Sequence, residues 1–241
     1  KFEERQILRS NHLVTHTQNH ANEVSRLLNL NPTRFKLIPH GISTKLRTEF
    51  KKSNVLHSNS VRILFVGRLE HRKGFDVLVR AIPTILESFP DIVIDICGSG
   101  KMLEKAKACL LPSYSSKIVF HGYQTRDALD LLYSSCDIFV APSRYESFGI
   151  IYLEAMQFSK PVIACNSGGT PEVVLDGITG ILVEPGNVDL LKKAVLKLAN
   201  NKDLRKKMGR AGRNRLEKIF SMKALIGATK SYYLESLTKT I

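Results

Sequence analysis

Tryptophan is absent from the 241 residues, cysteine occurs four times, and no apolar stretch approaches the roughly twenty residues needed to cross a bilayer. The cysteines stand at 97, 109, 136 and 165 without a CxxC pair, which excludes a zinc ribbon or a dense disulfide framework. Three of them lie in or beside apolar, strand-like runs, where a free thiol packs as a small hydrophobe and suits a reducing compartment. The N-terminal Lys-Phe-Glu-Glu-Arg-Gln lacks the apolar core of a secretory signal, so a soluble, cytoplasmic protein is expected. No Asp-x-Asp occurs, which weakens the case for a metal-chelated diphosphate. Two nucleotide loops also fail: after Gly98-Ser99-Gly100 the dinucleotide fingerprint meets Leu103, and a phosphate loop ending at Gly100-Lys101 would need glycine where Asp95 stands. Acids are scarce, 22 Asp+Glu against 36 Lys+Arg, for a formal charge of +14.

What is present is a repeating pattern. The run 61–66 (VRILFV) is apolar throughout, as in a strand buried on both faces. Over 74–88 the apolar residues Val77, Leu78, Ala81, Ile82, Ile85 and Leu86 recur at helical spacing. Further strand-like runs follow at 92–97, 117–120, 137–141, 161–165 and 180–183, with helical segments near 101–110, 125–135 and 149–158. Short apolar strands alternating with amphipathic helices predict an α/β fold, a doubly wound parallel sheet. From 187 to 237 three helical stretches remain, and upstream 12–17, 18–29 and 35–39 read as strand, helix, strand. Residues 42–60 lack a clear period and read as a linker. The chain thus divides into 1–41, the tail of a preceding domain; the 42–60 linker; a main domain, 61–220; and a last helix, 221–241.

In open parallel sheets ligands bind beyond the carboxyl ends of the strands. The loops leaving the strands here are Gly67-Arg68-Leu69-Glu70-His71-Arg72-Lys73-Gly74, Gly98-Ser99-Gly100, Gly122-Tyr123-Gln124, Pro142-Ser143-Arg144-Tyr145-Glu146-Ser147-Phe148-Gly149, and Asn166-Ser167-Gly168-Gly169-Thr170-Pro171-Glu172. Small residues, cations and carboxylates converge on one edge. A helix opening at Gly149 offers free amides and a positive dipole end to a phosphate. Arg68 and Lys73 can add charge-assisted bonds. Glu154, about one turn into that helix, suits sugar hydroxyls better than phosphate, and Glu146 in the loop can take a second hydroxyl. Taken singly, Arg68, Lys73 and Glu154 are ordinary surface charges, and Glu172 is an ordinary helix-starting acid. His12, His16 and His20 share a four-residue spacing but read as polar surface histidines rather than metal ligands.

The spaced set Gly67-Arg68-Leu69…Lys73-Gly74, Glu146-Ser147-Phe148-Gly149…Glu154-Ala155 and Gly168-Gly169-Thr170-Pro171-Glu172…Asp176-Gly177…Gly180 resembles the retaining glycosyltransferases of family 4. Glu146 and Glu154 match that family's E-x7-E signature. The resemblance covers roughly residues 12–235 and implies a GT-B fold, two Rossmann-like domains facing across a cleft, of which this chain holds the donor-binding half. It implies that Arg68 and Lys73 hold the donor diphosphate and that Glu146 contacts the transferred sugar. Glu154 then meets the ribose, and the Ser147, Phe148, Gly149 and Ile150 amides bind sugar and phosphate oxygens. Gly122, Tyr123 and Gln124 border the base, while Gly67, Gly98 and Gly100 line the nucleotide pocket. No metal or cofactor is implied beyond a UDP-, GDP- or ADP-sugar donor. The acceptor is a sugar, glycan or lipid-linked hydroxyl. A full member carries another Rossmann domain before residue 1, supplying the acceptor site in cis or in trans, and the last helix packs back toward it. Weak or no transfer is therefore expected of the chain alone.

Three other readings compete. A related epimerase or phosphorylase fits poorly, because no pyridoxal-phosphate lysine motif is evident. A non-catalytic nucleotide-sugar-binding module is compatible with a chain lacking an acceptor half. Nucleic-acid binding rests on charge alone. That charge is local: residues 189–223 hold 12 Lys and Arg against Asp189, Asp203 and Glu217, whereas 121–188 hold Arg126, Arg144 and Lys160 against eight acids. The excess sits on the C-terminal helices, where a solvated helix face is the default reading and an anionic membrane surface, rather than nucleic acid, the alternative partner.

Overall fold

The computed structural model describes residues 2–46 and 60–238, with side chains from residue 5 onward. Six parallel strands form the main sheet: β3 (Val61–Val66), β4 (Ile92–Cys97), β5 (Ile118–Gly122), β6 (Ile138–Ala141), β7 (Val162–Cys165) and β8 (Gly180–Val183). Their spatial order is β5-β4-β3-β6-β7-β8, so the winding reverses between β3 and β6. That is the arrangement of a doubly wound nucleotide-binding sheet, with its crevice at the reversal.

The strands are apolar on both faces because both faces are covered. Ile63 and Phe65 of β3 join a cluster with α3 (Phe75–Ser88), α4 (Leu103–Tyr114) and α8 (Val188–Ala199). Leu64, between them, points into the opposite cluster with α5 (Arg126–Ser135), α6 (Ile150–Gln157) and α9 (Lys202–Ile219). Period-two alternation along each strand feeds two separate cores. Helix starts are fixed by side-chain oxygens: Thr125 caps Ala128, Asn187 caps Leu190 and Asn201 caps Leu204.

Polar groups inside the sheet are paired. Asp95, 1% exposed in mid-β4, accepts two bonds from Arg62 Nη2 at 2.7 and 2.8 Å, and His121 Nε2 approaches it at 2.7 Å. The apolar pattern of 92–97 concealed this carboxylate, which ties three adjacent strands together.

Before the sheet lie α1 (Phe2–Arg9), β1 (Leu13–Thr15), α2 (Gln18–Leu28) and β2 (Phe35–Leu37). β1 and β2 pair in parallel, and α1 is an element that the sequence pattern did not indicate. A short helix, α7 (Thr170–Val173), follows β7. The last helix, α10 (Met222–Thr238), runs back along the β1–β2 unit, where Lys36 Nζ meets Glu235 at 3.2 Å and lies 5.8 Å from the Tyr232 ring. The start of the expected linker packs against the main domain. Ile42 bridges to Ser221, the Gln157 amide donates to Ser43 O and Lys45 O, and Arg213 donates to Thr44 O, so this stretch is strapped to α6 and α9. Its remainder, 47–59, lies outside the described residues.

Asp95→Ala strands the Arg62 guanidinium between strands. Removing one partner of a buried pair costs up to about 5 kcal/mol, and partial access of Arg62 to water reduces that to roughly 2–4 kcal/mol. Urea denaturation of the variant should show that loss, with the slope unchanged.

Candidate active site

The reversal of strand order sends the loop after β3 and the loop after β6 to opposite helix layers, and the space between them is a cleft of about 240 Å³. Its walls are His40, Lys73, Glu146, Ser147, Phe148, Gly149, Ile150 and Ile151. Lys73 Nζ donates to Glu146 Oε1 at 2.6 Å across it, both side chains being largely buried. Gly149 has φ of +88°, which turns the chain so that α6 points its amino end into the cleft. One cation, one carboxylate and a set of free amides thus share a single mouth.

Each of these groups is held by backbone. Lys73 sits in a 3-10 turn, His71–Lys73, closed by Gly74 at φ of +67°. A Cβ on Gly74 would fall 1.8 Å from Pro142 O, so only glycine lets the turn rest on the β6 loop. Arg144 completes the clamp: it forks onto both oxygens of Asp76 at 2.6 and 2.7 Å, and its amide donates to Arg72 O at 2.9 Å. Burial opposes the charge on Asp76, but Arg144 outweighs it and holds the carboxyl below its ordinary range. On the other side, Gly169 N donates to Glu146 O at 2.8 Å and Thr17 Oγ1 to Ser147 O at 3.0 Å.

The segment before the sheet therefore forms part of the site. Glu172 does not serve its own short helix. Its two oxygens accept from the Gln18 and Asn19 amides at 2.8 Å each, capping α2 from across the fold. Tyr145 OH donates to Glu23, and burial with that bond pushes the phenol up to about 12. His16 also departs from the surface reading. Its ring stacks on His40 with centroids 3.4 Å apart, and both rings meet the edge or face of Phe148 at 6.3 and 5.1 Å. No sequence signal joined residues 16 and 40, because their meeting depends on the β1–β2 pairing.

The other sequence candidates lie along the same edge, outside the cleft walls. Arg68 is 66% exposed and pairs with Glu70 at 3.3 Å. Gly67, Gly98 and Gly100 are consumed by loop-on-loop contact: a Cβ on Gly98 would lie 1.9 Å from Gly67 O, and one on Gly100 2.5 Å from Leu69 O. Gly122 accepts from Gly98 N at 2.7 Å, Tyr123 is 86% exposed, and Gln124 folds back onto His121 O at 2.6 Å. Phe148, by contrast a wall of the cleft, buries its side chain in the core and against the His40 ring. Glu154 is already engaged by Arg126 and by Tyr133 OH at 2.9 Å. Burial opposes the charge of Arg126, yet Glu154 and Asp130 raise its pKa, while burial beside Glu154 pushes Tyr133 well above the ordinary phenol range. Arg126 is a partner that the sequence reading missed; its place one residue after a helix cap was the available signal.

The family described as "Glycosyl transferases group 1" matches residues 47–215. The chain belongs to that family. It is 37% identical over 169 residues to an uncharacterised glycosyltransferase of Methanocaldococcus jannaschii, covering 70% of this chain and 47% of that protein. It is 37% identical over 163 residues to a GDP-mannose-dependent monoacylated alpha-(1-6)-phosphatidylinositol monomannoside mannosyltransferase of Corynebacterium glutamicum, covering 64% and 42%. The crystal structure of Anabaena HepE in complex with UDP superposes with a TM-score of 0.80 at 18% identity, over 95% of this chain and 64% of that one, a likeness of fold. The chain spans about half the length of the curated relatives it matches. Within this glycosyl transferases group 1 chain, Gly74 carries the local geometry. Gly74→Ala should cost at least about 2 kcal/mol from the left-handed backbone and the Pro142 contact together, read as a lowered midpoint in thermal melting.

Proposed function

We propose that this chain is the donor-binding half of a glycosyltransferase that moves a sugar from a nucleotide-diphosphate sugar to an acceptor hydroxyl with retention of configuration. The observation that carries this reading is the Lys73–Glu146 pair facing the amino end of α6 at the strand-order reversal. A diphosphate entering the mouth competes with Glu146 for Lys73 and accepts bonds from the amides around Gly149. Glu146, released from that pair, is placed to accept from a hydroxyl of the transferred sugar. Arg68 is free to swing from Glu70, since its own side chain is largely exposed and Glu70 keeps Arg72 as a partner.

Further along the edge, Glu154 retains lone pairs beside Arg126 and Tyr133, enough to accept from ribose hydroxyls while both partners hold its orientation. Gly122, Tyr123 and Gln124 are the neighbours assigned to the base. In the transfer, the bond from the anomeric carbon to the phosphate oxygen breaks and its electron pair goes to the diphosphate. That oxygen takes the proton of the acceptor hydroxyl, whose oxygen bonds the same face of the sugar. The protein supplies fixed positive charge, from Lys73, Arg68 and the helix end, where the departing diphosphate gains negative charge. We assign no metal to this step. We assign the acceptor site to a separate domain, in cis or in trans, and the basic helices α8 and α9 fit an anionic membrane surface beside it.

Calorimetry with UDP-, GDP- and ADP-sugars should reveal binding of at least one, unaffected by EDTA, and Lys73→Met should weaken it about tenfold. Failure of all three to bind overturns the proposal. A single-turnover assay with and without a supplied acceptor-side half separates a transferase from a module that only binds.

A further inference from the structure

His40 belongs to none of the roles above, yet it is a wall of the cleft with Lys73 and Glu146. It reaches that place from the Pro39-His40-Gly41 corner after β2. Behind it lies His16, ring on ring at 3.4 Å, with the His16 Nδ1 hydrogen directed to Ile38 O at 2.9 Å. That bond fixes the His16 ring, because a carbonyl oxygen can only accept. Phe148 closes the remaining side, itself backed by Phe220 at 5.7 Å.

The charged groups facing His40 can be taken element by element. His16, from the β1–α2 turn, opposes a second positive charge beside it. Lys73, from the turn before α3, and Glu146, from the β6 loop, neutralise one another at 2.6 Å. The first turn of α6 contributes amides and a positive dipole end but no acidic side chain. Arg215 of α9 lies 5.1 Å from the Phe220 ring, on the far side of Phe148, and is again positive. Among the described residues no unpaired carboxylate favours an imidazolium here, and partial burial together with His16 lowers the His40 pKa from its ordinary value.

We propose that His40 is a further ligand of the nucleotide's diphosphate and that its proton is taken from solvent when the diphosphate binds. The inference rests on the donor reading given above. A diphosphate brings at least two negative charges into a mouth with one lysine already committed, and a ring nitrogen of His40 gains a hydrogen to donate to it. Proton uptake follows from linkage: a group whose pKa rises on binding takes up protons between its free and bound values. Below the free value His40 is already charged, and above the bound value it stays neutral. Affinity is therefore highest on the acid side and falls as pH rises through the bound value. A free nucleoside diphosphate carries one more negative charge than the same group esterified to sugar, so the leaving product holds this proton more firmly than the donor does. His40 thereby favours departure over the ground state.

The test is calorimetry of UDP, GDP and ADP binding to the 241-residue chain in buffers of different ionisation enthalpy, between about pH 5.5 and 8.5. The expected result is a buffer-dependent heat corresponding to uptake of up to one proton per nucleotide. H40Q should abolish that uptake and weaken binding about tenfold at the acid end. H16Q, which removes the opposing ring, should move the uptake profile to higher pH, and it provides an independent readout if H40Q folds poorly. Binding without buffer dependence, or uptake unchanged in H40Q, overturns the assignment of His40 and leaves the donor reading standing. No binding of any nucleotide overturns both.

Discussion

Everything at the site follows from one topological constraint, the reversal of winding between β3 and β6. Loops that leave neighbouring parallel strands toward opposite layers cannot pack along their whole length, so a crevice opens above the reversal. The fold then narrows that crevice with backbone contacts rather than with side chains. The turn bearing Lys73 lies against Pro142, the Gly98 loop lies against Gly67, and Gly169 holds the carbonyl of Glu146. Bringing backbone against backbone leaves the few long side chains with little choice of direction. Lys73 and Glu146 meet because both are anchored at their own peptide groups.

The electrostatic design has two separate parts. At the sheet edge, charge is balanced in pairs and forks: Lys73 with Glu146, Arg144 with Asp76, Arg126 with Glu154 and Asp130. Such pairs keep the cleft near neutrality, and on the donor reading proposed above an anion would bind by rearranging partners instead of by meeting a naked cluster. The large positive excess lies elsewhere, on α8, α9 and the start of α10, whose exposed lysines and arginines face solvent. A strongly basic chain therefore carries its excess away from the cleft, and its net charge says little about the chemistry there.

Residues 13–45 are more than an appendage. Thr17 and Tyr145 tie α2 to the β6 loop, Glu172 caps α2, and Ile42 bridges to Ser221. These bonds set His16 and His40 against the cleft, so the wall opposite the sheet is built by a segment more than a hundred residues away in sequence from Glu146. α10, strapped to the same segment by Lys36, Glu235 and Tyr232, closes the circuit. The seam between the two parts of the chain is thus a working surface of the site.

The strands and most helices were legible because buried parallel strands need continuous apolar runs and covering helices need a stripe at three and four. Runs such as 61–66 and 92–97 coincide with β3 and β4. The loops at the carboxyl edge were legible as well, since glycine and charge together at successive strand ends have few other uses. Local sequence could not decide the partners. Asp95 reads as an interruption of an apolar run until Arg62 and His121 arrive from neighbouring strands. Glu172 reads as the start of its own helix until α2 presents two free amides. His16 reads as a surface residue until strand pairing stacks it on His40. Sequence by itself determined the order of the elements and the chemistry available at one edge, because periodicity and residue type are local properties. Only the tertiary structure decided which charges are spent on each other and which remain for a ligand, because that depends on distances of a few ångströms between segments far apart in the chain.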